Sequence, residues 1–334
     1  MSEPGRSLPD GDPATTAWLD GLMAWREQRA ASLVGPHGWW SITCLEWLEE
    51  GENTIGSAEG SAVRLAERFP TEVARVNVAG ERATLVPAAG ASLLLGGEPF
   101  TGQFTADGDV AFVADDLPPP SPHAASAATS TAGRRPARVS VVRRGDLWGV
   151  RVHDPVAAER RSVERDLAWF DPAPEWVIEA EFLPPEAEEE VPVSNVIGQV
   201  SMHRVAGRVR FVHAGTSWTL LATEAGEGRL FINFRDASNE DLGAAEEAAD
   251  GRAAGEGVAA EDPRGHHDER ERRATYSGGR FLTTGAPTDG RVTLDFNRAN
   301  HPPCAHTPYA TCPMPTPGNR LPFAVTAGER LARG

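Results

Sequence analysis

The residues best suited to chemistry lie between Arg291 and Glu329, in the run RVTLDFNRANHPPCAHTPYATCPMPTPGNRLPFAVTAGE. Val292, Leu294 and Phe296 alternate as on one face of a strand, which sets Asp295 and Asn297 together on the other. The chain then enters a loop with seven prolines from Pro302 to Pro322. Proline fixes φ and withholds an N–H, so such a loop is stiff and its carbonyls need other donors. Asn297, Arg298, Asn300, Thr307, Tyr309, Asn319 and Arg320 can supply them. Three readings follow. In the first, Asp295, Asn297 and Asn319 hydrogen-bond loop backbone while Tyr309 packs and Cys304 and Cys312 are small buried residues. In the second, Cys304 and Cys312 bind a metal with His301 and His306, although a C-x7-C spacing is not a zinc pattern. In the third, the loop lines a small-molecule pocket floored by Asp295, Asn297, Arg298 and Tyr309, with Arg235, Asp236 and Arg280 joining it.

These residues imply three classes of function. The leading expectation is a β-rich protein that binds a small molecule or peptide at loop 295–320. A hydrolase would use Asp295 as base or Cys304 as nucleophile, with Arg or Asn stabilising developing charge. A protein-interaction module is the third. The motifs G-x-S-x-G and H-E-x-x-H, a P-loop, a C-x-x-C pair and a strand-linked G-x-G-x-x-G are all absent. No cofactor and no metal are expected. A His266-His267-Asp268 cluster lies in a charged, Gly-rich tract and reads as solvated.

The elements that must position these groups are mostly strands. Asp12-Pro13 suits a cap and first helical turn, and Trp18, Leu22, Trp25 and Arg29 repeat at helical spacing to about Leu33. Short β stretches follow at Val73–Val78, Ala83–Val86 and Ser92–Leu95, after a turn spanning Glu49 to Asn53. The alternation is clearest at Trp148, Val150 and Val152, and at Trp176, Ile178, Ala180 and Phe182. It recurs at Val209 and Phe211, at Trp218, Leu220 and Ala222, and at Leu230, Ile232 and Phe234. The expected fold is mainly β, an antiparallel sandwich or open barrel with an N-terminal amphipathic helix and two low-complexity insertions. The expected division is a disordered tail over 1–12, a helix with a small β meander over 13–114, and a flexible Pro/Ala/Ser insertion over 115–138. A β domain over 139–330 carries the C-terminal loop and an acidic insertion at 239–273.

The formal net charge is −16, and all 32 basic residues are Arg. A negative field repels polyanions, so nucleic acid and anionic membrane surfaces are not expected partners. The absence of Lys removes Schiff-base chemistry. The first residues lack the pattern of a signal peptide, no run approaches the length of a membrane span, and three cysteines are too few for a disulfide scaffold. A cytoplasmic protein is expected.

The run D-F-N-R-A-x-x-P-P-C-A-x-T-P-Y-A-T-C-P-x-P, followed by N-R-L-P and A-G-E, resembles the bacterial and archaeal domain-of-unknown-function family 1684 (DUF1684). Upstream text agrees in order: Gly38-Trp39 with Leu45 and Trp47-Leu48, Gly51 to Ser57, Arg144-Gly145 with Arg151 and Asp154-Pro155, Asn195 with Gly198, Phe234-Arg235-Asp236, and Thr275-Tyr276 with Gly279-Arg280. The resemblance implies no activity and no catalytic residues. Three positions depart from the family pattern: Asn300-His301 stands where Tyr-Asn is usual, His306 where an aromatic is usual, and Cys44 where Gly is common. Gly51 to Ser57 is also similar to the Ile-Gly turn of forkhead-associated domains, which are β sandwiches.

Overall fold

The computed structural model describes residues 13–91, 93–106, 110–114, 135–239 and 274–332. The tail at 1–12 and almost all of both insertions lie outside these residues. The chain divides into two compact units. One comprises Ala31–Arg165 with Thr307–Ala310, and the other Met1–Ala30, Asp166–His306 and Thr311–Gly334.

The first unit is a sandwich. Its described strands are β1 (Ile42–Trp47), β2 (Gly51–Gly56), β3 (Val63–Arg64), β4 (Ala74–Ala79), β5 (Arg82–Pro87), β6 (Leu93–Leu95), β7 (Glu98–Pro99), β8 (Phe104–Ala106), β9 (Val110–Ala114), β10 (Ala137–Arg144) and β11 (Leu147–His153). One sheet has the order β1-β11-β10-β9-β6-β7 and the other β3-β2-β4-β5-β8. Period-two alternation turns Val76 and Val78, Leu85, Val139 and Val141, and Trp148, Val150 and Val152 into one shared core. Each such side chain contributes about 1.5–3 kcal/mol by leaving water. The β10–β11 hairpin closes through Gly145-Asp146, with Gly145 at φ 60°, as the Arg144-Gly145-Asp146 text suggests.

Two features differ from expectation. The Gly51–Asn53 text is not all turn: Gly51 at φ 95° opens β2, which pairs with β4. The Asn53 amide folds back to accept from Glu49 N–H and donate to Glu49 O, so a turn-forming side chain also starts a strand. Strands β10 and β11 pair with β9 and β1 and so belong to the same unit as residues 31–114, whereas the sequence reading set 139 as the start of a second domain. Long-range strand pairing decides this division, and local composition does not reveal it. Helix α2 (Pro155–Glu164) closes the unit; Asp154 caps it by accepting from Val156 N–H and also takes both Nη atoms of Arg68 at 2.7 Å.

The second unit is a half-barrel. Its strands are β12 (Ala168–Trp169), β13 (Val177–Leu183), β14 (Glu190–Ser194), β15 (Val200–His213), β16 (Thr216–Glu224), β17 (Leu230–Phe234), β18 (Arg280–Thr283), β19 (Arg291–Asp295) and β20 (Glu329–Arg330). The main sheet runs β18-β17-β16-β15-β13-β19, β14 pairs with the first half of β15, and β12 pairs with β20. Beyond β19 the chain turns back to β18, where Phe281 and Asn300 exchange two backbone hydrogen bonds of 2.8 and 2.9 Å. The inner face buries Ala180, Val209, Phe211, Leu220, Ala222, Ile232, Phe234, Leu282, Leu294 and Phe296. This is the alternating set read from the sequence. Helix α1 (Pro13–Val34), whose residues through Ala30 belong to this unit, turns inward the face that carries Trp18, Leu22, Trp25 and Arg29. The mainly β, antiparallel expectation therefore holds, with both a sandwich and a half-barrel present.

Candidate functional site

Most of the polar residues singled out around loop 295–320 serve the backbone. Strand β19 ends at Asp295, whose Oδ1 accepts from the N–H and the Nδ2 of Asn297, both at 3.1 Å. Its Oδ2 accepts from Trp18 Nε1 at 3.1 Å and from Arg298 Nε at 3.2 Å. Asn297, fully buried, then clamps Ala173 from both sides, accepting its N–H at 2.8 Å and donating to its carbonyl at 2.9 Å. Asn319 makes the same two-sided clamp on Leu221 and also donates to Asn233 O. These bonds satisfy backbone groups of other segments, at Ala173, Leu221 and Asn233, and tie the loop to them.

Arg280 and Asp236 form a fully buried ion pair at 2.6 Å. The guanidinium also donates to the carbonyls of Ala327 and Val325, while Asp236 Oδ1 accepts from Ser238 and Val325 N–H. Gly279, at φ 98° and with Phe234 O only 2.7 Å from where a Cβ would stand, makes room for this entry. Arg235 lies beside Arg320 in a parallel bridge. Thr307 and Tyr309, also in the expected pocket, group with the sandwich unit, whereas Asp295, Asn297, Arg298, Cys304, Cys312, Asn319, Arg235, Asp236 and Arg280 group with the half-barrel.

A buried cluster not anticipated from the sequence sits in the half-barrel. Glu329 is 1% exposed, and its Oε1 lies 3.3 Å from His301 Nδ1 and 3.2 Å from His306 Nε2. Its Oε2 accepts from His301 N–H and lies 3.5 Å from Arg29 Nε. Burial alone would raise this carboxyl; hydrogen bonds from the two histidines, with the charge of His301 and Arg29, reverse that and hold it below the usual carboxylate range. His301 Nε2 accepts from Tyr276 N–H at 3.1 Å, so the neutral ring carries its proton on Nδ1, facing Glu329. Burial lowers its pKa. Gly328, at φ 84°, brings Glu329 into place, since a Cβ there would meet Ala299 O at 2.4 Å. The two histidines considered as metal ligands are thus occupied by a carboxylate, and no group of three or more His, Cys, Asp or Glu side chains among the described residues is placed to hold a metal ion.

A cavity on the sandwich gathers several basic side chains. It has a volume of about 350 Å³ and sits over the outer face of β9, β10 and β11, lined by residues that include Arg138, Arg144, Arg151, His37, His153, Ser140 and Trp39. Strand alternation explains the grouping. Arg138, Ser140 and Arg144 are outward-facing residues of β10, and Arg151 and His153 pair with Ser140 and Arg138 across the β10–β11 ladder. His153 is buried, and Ser41 fixes its tautomer: the hydroxyl donates to Gly38 O at 2.7 Å, so its oxygen accepts from His153 Nδ1 at 2.9 Å. Burial first, then the charges of Arg151, His37 and Arg138, lower the His153 pKa to about 4. Among the described residues, the lining holds five basic side chains and no carboxylate. Sequence reasoning missed this site because its residues are scattered from 37 to 153; the outward Arg and His of two adjoining strands were the available signal. A second, wider opening, of about 830 Å³, lies at the half-barrel end bounded by Phe182, Pro184, Arg204, Leu230 and Pro287.

Fold and sites together define a two-unit antiparallel β protein whose C-terminal loop is clamped by buried Asn and Arg–Asp groups. The family model described as "Protein of unknown function (DUF1684)" matches residues 165–247 and 266–330, so this segment is similar to that family. A solution NMR structure of an uncharacterized protein of Haloarcula marismortui is 27% identical, over 52% of this chain and 80% of that one, with a TM-score of 0.35. No curated protein matches the chain. No helix among the described residues is long and apolar enough to cross a membrane.

Proposed function

We propose that the protein binds a small organic anion in the arginine-lined cavity of its sandwich unit. The observation that carries this reading is the convergence of Arg138, Arg144, Arg151, His37 and His153 on one cavity, with no acid among its described lining residues. Like charges held together on a rigid sheet repel one another, and an anion relieves that repulsion through charge-assisted hydrogen bonds. Trp39, Val110, Ala111 and Val142 supply apolar wall, and about 350 Å³ suits a small carboxylate, phosphate or sulfate ester. Loop 295–320, first read as the binding corner, serves in this account as the clasp of the half-barrel. Asp295 is a poor hydrolytic base, because both oxygens already accept hydrogen bonds. The net charge of −16 argues against nucleic acid as the anion. An odd number of cysteines fits a cytoplasmic setting.

The test is melting temperature against sulfate, with chloride at matched ionic strength as control. Sulfate raises the Tm of wild type beyond chloride, and Arg138→Ala/Arg151→Ala abolishes the difference; an equal rise in the variant contradicts the proposal. A protein-interaction role has its own support. The β14–β15 hairpin exposes Val196, Ile197, Val200 and Met202, between 44 and 61% each. Concentration-dependent association in sedimentation velocity, lost in Val200→Ser/Met202→Ser, would support that role.

A further inference from the structure

The three cysteines occupy different electrostatic settings. Cys44 is buried in the sandwich, where burial first and the charge of Glu46 second push its thiol up to about 12. Such a thiol is inert at neutral pH. Cys304 lies in a short 3-10 helix (Pro303–Ala305) and is half-buried; its backbone N–H donates to Cys312 Sγ at 3.0 Å. The Cys312 thiol hydrogen-bonds the Cys304 sulfur in turn, and this bond, opposed by burial and aided by the backbone N–H groups of both residues, brings Cys304 down to about 7. Tyr276 stands beside the pair: burial first, then the charge of Cys304 and Cys312, keep its hydroxyl protonated well into the alkaline range.

The backbone holds the two sulfurs together. On one side of the loop, His301 and His306 are fixed by Glu329. On the other, the Cys312 carbonyl accepts from Val196 N–H at 3.0 Å, and Met314 N–H donates to Ser194 O at 2.7 Å. Pro302, Pro303 and Pro313 restrict φ beside both cysteines. A ring closed between positions already adjacent loses little further chain entropy.

We propose that Cys304 and Cys312 are a redox-active dithiol, with Cys304 the attacking thiolate, Cys312 the resolving sulfur, and a low-molecular-weight disulfide as oxidant. Cys304 Sγ attacks one sulfur of R–S–S–R; a Cys304–S–S–R bond forms, the R–S–S–R bond breaks, and the departing thiolate takes up the proton that Cys304 had released to solvent. Cys312 then loses its proton and attacks Cys304 Sγ, expelling the second thiolate, which that proton neutralises. Two thiols of the protein are oxidised to one disulfide, and one small disulfide is reduced to two thiols. The half-buried Cys304 receives the oxidant, and the buried Cys312 is shielded from it. This chemistry is independent of the arginine cavity, and either can fail alone.

The test equilibrates the full-length protein in mixtures of reduced and oxidised glutathione, then blocks remaining thiols with a maleimide under denaturing conditions and weighs and maps the product. Wild type is expected to pass to a species lighter by two hydrogens that labels only at Cys44. Cys312→Ser should stop at a glutathione adduct on Cys304, and Cys44→Ser should oxidise as wild type does. Iodoacetamide at neutral pH should label Cys304 at least ~10-fold faster than Cys44. A wild type that keeps all three thiols at every ratio overturns the proposal. So does one that carries separate glutathione adducts on Cys304 and Cys312. Because wild type itself is decisive, a variant that fails to fold does not blunt the result.

Discussion

Asn297 shows how a residue that looks chemical can be structural. Its amide presents a donor and an acceptor at the spacing of one peptide unit, and Ala173 fills both. Replacing it by alanine leaves the Ala173 N–H without its partner and its carbonyl with only the Trp176 N–H, so Asn297→Ala should destabilise the half-barrel by ~1–3 kcal/mol in urea unfolding. A near-neutral result would show that the clamp is not needed. Strand alternation placed Asp295 beside Asn297, but the strand ends at Asp295, and their pairing comes from the 3-10 turn Phe296–Arg298 that Asp295 caps. The identity of the Asn297 partner was not legible, because Ala173 is distant in sequence and offers only backbone. Glu329 was equally hidden: His301 and His306 suggested a metal, and nothing local indicates that a carboxylate far along the chain meets them.

Among the elements, strands with one buried face were readable and the rest less so. Strands β13, β16 and β19 alternate because each has one face in a core, whereas β11 and β17 are buried at consecutive positions along part of their length. Strand β2 was missed because Gly51 and Asn53 are turn formers that also start it, and β14 because an acidic, proline-bearing run precedes it and Pro192 interrupts its alternation. Trp176, in the 3-10 turn just before β13, ties these elements together: it packs edge-on to Phe296 and stacks on His213, and it is 6% exposed. Trp176→Ala should cost ~3–5 kcal/mol in the same unfolding assay. A loss below about 1 kcal/mol would mean that the site collapses around the gap, or that the ring is not core.

For the whole molecule, pH response follows from depressed pKa values in both units. His301 and His153 are held neutral below the ordinary histidine value, and Glu329 is held ionised below the ordinary carboxylate value. A group with a folded pKa below its unfolded pKa contributes stability that is present above the unfolded value and lost as pH falls through the folded one. Stability should therefore be level above about pH 6.5 and decline on acidification toward pH 4, first through the histidines and then through Glu329. The charge of −16 works the other way, since its self-repulsion relaxes in acid, so a variant isolates the effect. His301→Asn should flatten the decline of Tm between pH 6.5 and 4, and an unchanged slope would remove the buried histidine as its cause.

The arginine cavity is most directly tested at His153. Its ring should titrate near 4 in the free protein, because burial and the surrounding cations disfavour the imidazolium. A bound dianion reverses the sign of the local field. NMR titration of the His153 ring, assigned with His153→Gln, is to be run with and without sulfate, whose own charge is constant across this range. The account expects an apparent pKa near 4 that moves upward when sulfate is present, with sulfate affinity rising as the ring gains its proton. A ring that titrates at the same pH with and without sulfate would contradict an anion site in this cavity.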